Sequence, residues 1–230
     1  LRTPIYVMNG LVGMLIVPLF MLMPLFTQEG ELNKLLSQLR LPEFGLIVTL
    51  GALAVSLFTA SINIVACTSV SREGSTFWIS KIIPVSAKIQ ILAKLIHSAA
   101  ISFIGIFVVV IAIQLLAELS LLRITTLIIL GILGSLGLNI INLIIDVLRP
   151  KLDWNDPQEA VKQNFNGFLG ILLPLIVMAL LAGLVAILVL VKTPEWLIYL
   201  IIAIIMVIAD IIGLYGLFAL AEHRYASIEI

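Results

Sequence analysis

The chain has 230 residues, 62% hydrophobic and 11% charged, with 13 Lys and Arg balanced by 13 Asp and Glu. A mean hydropathy of +1.24 lies far outside the range of soluble domains. A net charge of zero with no dense basic cluster offers no footprint for nucleic acid, and a single cysteine offers no disulfide framework.

A bilayer core needs about 20 apolar residues of helix to cross it. Residues 3–28, 44–71, 95–117, 124–145 and 163–191 carry no Asp, Glu, Lys or Arg, and 196–221 carry only Asp210. None shows the alternation of a barrel strand. The expected fold is therefore all-α, a polytopic membrane protein whose single domain, residues 1–230, has spans at about 5–26, 44–70, 88–117, 122–147, 164–191 and 195–221. The first span is too long, and lacks the small-x-small site, to be a cleaved signal peptide. The chain opens on Leu1, which predicts a segment of a longer protein.

Between spans one and two, "ELNKLLSQLRL" repeats Leu at spacings of 3 and 4, which suits a short interfacial helix. Span two carries Ala52, Ser56, Ala60, Asn63 and Cys67 in a helical cadence. Cys67 has no partner cysteine, so packing is its expected role. After this span comes "SREGSTFWISKIIPVSAK", Ser71 to Lys88. Helical over 75–83, it sets Trp78, Ile79, Ile82 and Ile83 on one face and Ser75, Thr76, Ser80 and Lys81 on much of the other. Pro84 stops that helix and Ser86 is placed to cap the next. Such a segment is either an interfacial helix anchored by Trp78 or a docking surface for a partner.

Span three holds His97 near one end, with no second histidine at helical spacing, so a metal site is not expected. In span four Ser135, Asn139, Asn142 and Asp146 fall at spacings of 4, 3 and 4 and share a face. This stripe and that of span two read as a helix-packing seam or as the wall of a substrate path. Pro150 ends span four, and Asp156, Pro157 and Glu159 are arranged as a capping box that would start the next helix early. Between spans five and six, Thr193 is placed as N-cap, Pro194 at the first helical position and Trp196 at headgroup level. Pro18, Pro24 and Pro174, and Gly131, Gly134 and Gly137, are places where spans one, five and four can loosen. Asp210 is costly near the centre of span six. It is either an ion or substrate contact or a protonated or amide-paired lock.

Six spans divide the cations unequally. Arg2, Arg72, Lys81, Lys88, Lys94, Arg149, Lys151, Lys162 and Arg224 share one side, with Lys34, Arg40, Arg123 and Lys192 opposite. The richer side is expected in the cytoplasm, with both termini.

The run Arg72, Glu73, Gly74, Phe77, Trp78, Pro84, Val85, Ser86, Ile91, Leu92 and Lys94 resembles the signature between the second and third helices of ABC-2 type permeases. Together with "DVLRPKLDWNDPQEAVKQN" it resembles a bacterial branch of ABC transporter membrane subunits, most of the chain corresponding to a carboxyl-terminal six-helix part. The resemblance implies a permease of the bacterial plasma membrane, moving substrate outward and paired with a second membrane half or another copy of itself. It also implies that residues 71–83 form a coupling helix seated in an ATP-binding subunit. Coupling roles pass to Arg72, Glu73 and Gly74, with Phe77 and Trp78 seating the helix and Lys81 beside them. Asn63, Ser135, Asn139, Asn142, Asp146 and Asp210 are candidates for the translocation path. The chain has no GxxxxGK[ST], so ATP and Mg would be bound by the partner subunit and no cofactor is expected in this chain. The chain departs from better-known exporters of this type at Lys192 to Glu195, where a turn replaces an elaborated outer connection. An ion- or proton-coupled carrier using Asp210 is the alternative, though no internal repeat supports it. A membrane-embedded enzyme lacks a nucleophile with a base nearby.

Overall fold

The computed structural model describes residues 12–23, 26, 30–62 and 64–228. All regular structure among these residues is helical: α1 (Gly13–Met21), α2 (Gly30–Leu39), α3 (Gly45–Ile62), α4 (Phe77–Ile82), α5 (Ala87–Ala117), α6 (Leu121–Leu148), α7 (Phe165–Leu190) and α8 (Glu195–Ser227), with short 3-10 turns at 42–44, 66–68 and 71–76. Five segments are long and apolar enough to cross a membrane: Pro42–Ile82 and the bodies of α5, α6, α7 and α8. Asn63 lies outside the described residues, as do residues 5–11 and 24–25 of the first expected span, Pro24 among them. Its described part, α1, packs Met14 against α5 at Gly105.

Helix α6 is the axis of the bundle, packed against α3, α5, α7 and α8. Two apolar clusters stack along it. One gathers Leu57, Ile106, Leu127, Ile198 and Met206, and the other Val70, Phe77, Ile91, Leu143, Leu217 and Tyr225. Lipid tails are as apolar as leucine, so such helices are held by close packing and interhelical hydrogen bonds rather than by release of water. Gly134 permits that closeness, since a Cβ there would sit 2.6 Å from Leu57 Cδ2 and 2.9 Å from Met206 Cε. The glycines of α6 do not break it; the helix is continuous from Leu121 to Leu148.

At one end of the bundle Arg40 Nη1 pairs with Glu118 at 2.9 Å, fastening the end of α2 to the end of α5. At this end, too, Arg123 grips Glu195 with two bonds of 2.9 and 3.0 Å, joining the starts of α6 and α8. The residues 64–94, 146–166 and 221–228 meet at the other end, as Lys88–Glu222, Phe77–Tyr225 and Asp146–Ser71 contacts show.

Several boundaries differ from the sequence expectation. The α-helix of span two stops at Ile62, not at residue 70, and continues as tighter turns. Ser56, Thr59, Ser61 and Thr68 hydroxyls each bond a carbonyl three or four residues back, and the Arg72 guanidinium takes the carbonyls of Val65 and Thr68 at 2.9 and 3.3 Å. Side chains thus claim carbonyls that a regular ladder would use. Asp156 makes no capping box: its Oδ1 accepts from Gln158 N at 2.8 Å in an Asx turn, and α7 begins only at Phe165, capped by Asn164. Pro194, not Thr193, occupies the cap position of α8. Ser86 caps α5 by position only; Gln90 ties the turn, its Nε2 donating to Ser80 and Val85 carbonyls.

Candidate functional site: a buried polar knot beneath an exposed helix

The polar face of α6 ends at Asp146, which is fully buried. Its carboxylate accepts four hydrogen bonds: from Val70 N at 2.5 Å, from Ser71 N at 3.1 Å, from the Ser71 hydroxyl, and from Asn166 Nδ2 at 3.0 Å. The two backbone donors belong to the start of the 3-10 turn 71–76, where N–H groups have no partner within the turn. Asn166 also donates to the Arg149 carbonyl at 2.7 Å. One carboxylate therefore holds the end of α6, the end of the second span and the start of α7.

The loop after α6 closes over the same turn. Lys151 N donates to Ser71 Oγ at 2.9 Å and Trp154 Nε1 to the Ser71 carbonyl at 2.7 Å. The Trp154 ring lies on Gly74, where a Cβ would stand 2.6 Å from ring carbons. Gly74 has φ 50° and ψ −134°, a conformation that L side chains rarely adopt, so the residue is required both by its backbone and by its neighbour.

Glu73 faces the bundle. It forms a part-buried ion pair with Lys94 of α5 and accepts from Ser80 Oγ at 2.7 Å, while Lys94 also reaches the Ser69 carbonyl at 3.3 Å. Phe77 is 0% exposed and packs edge-on to Tyr225 of α8 with ring centroids 5.0 Å apart. It is thus a core residue, not part of the outward face with Trp78. The outward face of α4 and the turn after it carries Trp78, 51% exposed, with Ile79, Ile82 and Ile83, the four residues that helical spacing groups together. Lys81 lies over the Phe77 ring at 5.9 Å and bonds the Ile228 carbonyl.

Of the remaining path candidates, Ser135, Asn139, Asn142 and Asp210 are buried, and Asn63 lies outside the described residues. Ser135 bonds back to the Ile132 carbonyl at 3.0 Å, and Asn139 Nδ2 donates to Ser102 Oγ at 2.9 Å and to Ser135 O at 2.7 Å, a seam between α6 and α5. Both amide atoms of Asn142, beside Cys67 and Gly170, lack a hydrogen-bond partner among the described residues, as do both carboxylate oxygens of Asp210. Among the described residues no amide pairs with Asp210. Among the described residues no group of three or more His, Cys, Asp or Glu is disposed to hold a metal.

The sequence singles out Asp146, Lys94 and the Trp78 face but gives no role to Ser71, Trp154, Asn166 or Tyr225. Phe77 and Trp78 are adjacent in a helix and cannot share a face, which was a signal for the inward position of Phe77. The tryptophan in an otherwise polar loop, "LDWND", was a signal for Trp154.

Five apolar segments of membrane-crossing length, four of them packed around the fifth, α6, place the protein in the all-helical class with the length and composition of a membrane protein. Comparison with known protein families, curated proteins and solved structures returns no match.

Proposed function

We propose that this chain is the membrane-spanning permease subunit of an ATP-binding cassette transporter of the ABC-2 type, moving substrate, in the export direction, on ATP hydrolysis by a separate subunit. Residues 71–83 are its coupling element. In this reading the Ser71 end of the bundle is cytoplasmic, the membrane is the bacterial plasma membrane, and a second membrane half or a second copy completes the path.

One observation carries the reading. Segment 71–82 is fastened inward at Ser71, Glu73, Gly74 and Phe77 to α5, α6, α8 and the loop after α6, while Trp78, Ile79 and Ile82 face outward and are exposed among the described residues. A push on that outward face is delivered to three long helices at once, which is what a mechanical lever between an ATPase and a membrane bundle requires. The inward bonds also redefine the roles of Arg72, Glu73, Gly74 and Phe77: they rigidify the lever, and Trp78 with its isoleucine neighbours meets the partner.

The test is purification of the full-length protein from native membranes in mild detergent beside a Trp78→Asp variant. An ATPase subunit that co-purifies with the native protein and is lost from the variant is expected. Loss of no partner, with both proteins intact, overturns the reading and moves weight to an ion-coupled carrier centred on Asp210.

A further inference from the structure

Helices α6, α7 and α8 do not close on one another along their whole length. The buried residues of α7 are Asn166, Gly167, Gly170 and Pro174, all in its first turns. Beyond them a cavity of about 310 Å³ opens between the three helices, its walls including Leu57, Met178, Leu181 and Met206. An adjoining cavity of about 220 Å³ between α3, α7 and α8 shares Leu57, Met178 and Leu181 with it. Leu180 at the rim is 71% exposed, so the mouth faces sideways, toward the lipid in a bilayer.

Among the described residues, the one ionisable group in the first cavity's lining is Asp210. It is 5% exposed, and neither oxygen meets a donor among the described residues. The α6 backbone closes one side of the carboxylate, since a Cβ on Gly137 would lie 2.6 Å from Asp210 Oδ1. A carboxylate so placed carries a desolvation cost that no hydrogen bond from the described residues offsets.

We propose that this cavity binds a lipophilic organic monocation, whose apolar body fills the space between α6, α7 and α8 and whose charge meets Asp210. The volume lies at the lower end of the ~300–1,000 Å³ range of small-molecule sites. One carboxylate in an apolar wall sets the sign and number of the ligand's charge, and the sideways mouth admits a ligand dissolved in the membrane. The proposal names the cargo class for the transport reading above, but it is tested by binding alone, with no ATPase present, so either can fail without the other.

The probe is radiolabelled tetraphenylphosphonium, measured by equilibrium dialysis against the full-length protein in detergent, with tetraphenylborate as the same shape of opposite charge. Saturable binding of one cation per chain is expected, with no saturable binding of the anion. Asp210→Asn weakens the cation by about ten-fold or more, the loss of one desolvated ion pair. Met178→Trp, which fills the cavity without touching the charge, abolishes binding. Absence of saturable binding by the native protein, or native affinity in a folded Asp210→Asn, overturns the proposal. If Asp210→Asn does not fold, native affinity in Met178→Trp overturns it and leaves the carboxylate a structural lock.

Discussion

Asp146, near the end of a long apolar helix, accepts hydrogen bonds from both the backbone N–H and the hydroxyl of Ser71, 75 residues earlier in the chain. Because Ser71 in turn accepts from Lys151 N and Trp154 Nε1, this pair is the centre of a knot that ties three segments at one end of the bundle.

Asp146→Ala leaves the Val70 and Ser71 N–H groups and the Ser71 hydroxyl without their buried acceptor, while Asn166 keeps the Arg149 carbonyl. Each such orphan costs about 1–3 kcal/mol, so a total loss of about 3–5 kcal/mol is expected, close to the whole stability of many domains. Ser71→Ala removes one donor and one acceptor and should cost about 1–2 kcal/mol. In a double-mutant cycle followed by thermal unfolding in detergent, the two changes should be strongly non-additive; additive losses would show that they do not act through one another.

Gly74→Ala meets two obstacles, a positive φ and the Trp154 ring. The backbone part alone is worth about 1–3 kcal/mol. Trp154→Ala relieves that clash but also removes the bond to the Ser71 carbonyl, so in thermal unfolding the double variant should lose less stability than the sum of the two single losses.

Glu73 and Lys94 are part-buried, with side-chain exposures of 22% and 16%, so their pair is screened less than a surface one. Glu73→Gln or Lys94→Met should each cost about 1 kcal/mol, and the two together little more than one. On the transport reading both lower substrate movement per ATP hydrolysed, measured in proteoliposomes with the partner subunit. Unchanged coupling in both would remove Glu73 from the lever.

Arg123 and Glu195 at the opposite end supply a control. Their bidentate pair is reinforced by Tyr199 Oη on Glu195 Oε1 at 2.8 Å. Glu195→Gln should lower thermal stability by an amount similar to Glu73→Gln, about 1 kcal/mol, without changing movement per ATP.

The long apolar segments were legible because length and composition alone specify a membrane helix, and the face shared by Ser135, Asn139, Asn142 and Asp146 was legible because helical spacing fixes it. What Asp146 binds was not, since Ser71 and Asn166 reach it through tertiary packing that no local period encodes. The same holds for Glu73 with Lys94 and for Phe77 with Tyr225. Helix ends were misplaced where side chains took over backbone bonding, at Ile62 by hydroxyls and Arg72, and at Asp156 by an Asx turn. The cavity at Asp210 depends on the divergence of α7 from its neighbours, and its sequence shows only a uniformly apolar run through Pro174.

The most direct test of the lever is site-specific photo-crosslinking from Ile82, 67% exposed on the outward face of α4, in native membranes with the full-length protein. The account predicts a crosslink to a polypeptide that carries a GxxxxGK[ST] nucleotide loop, and none when the photoreactive group is moved to the buried position of Phe77. Crosslinks from Ile82 to lipid alone would contradict it and make α4 an interfacial anchor.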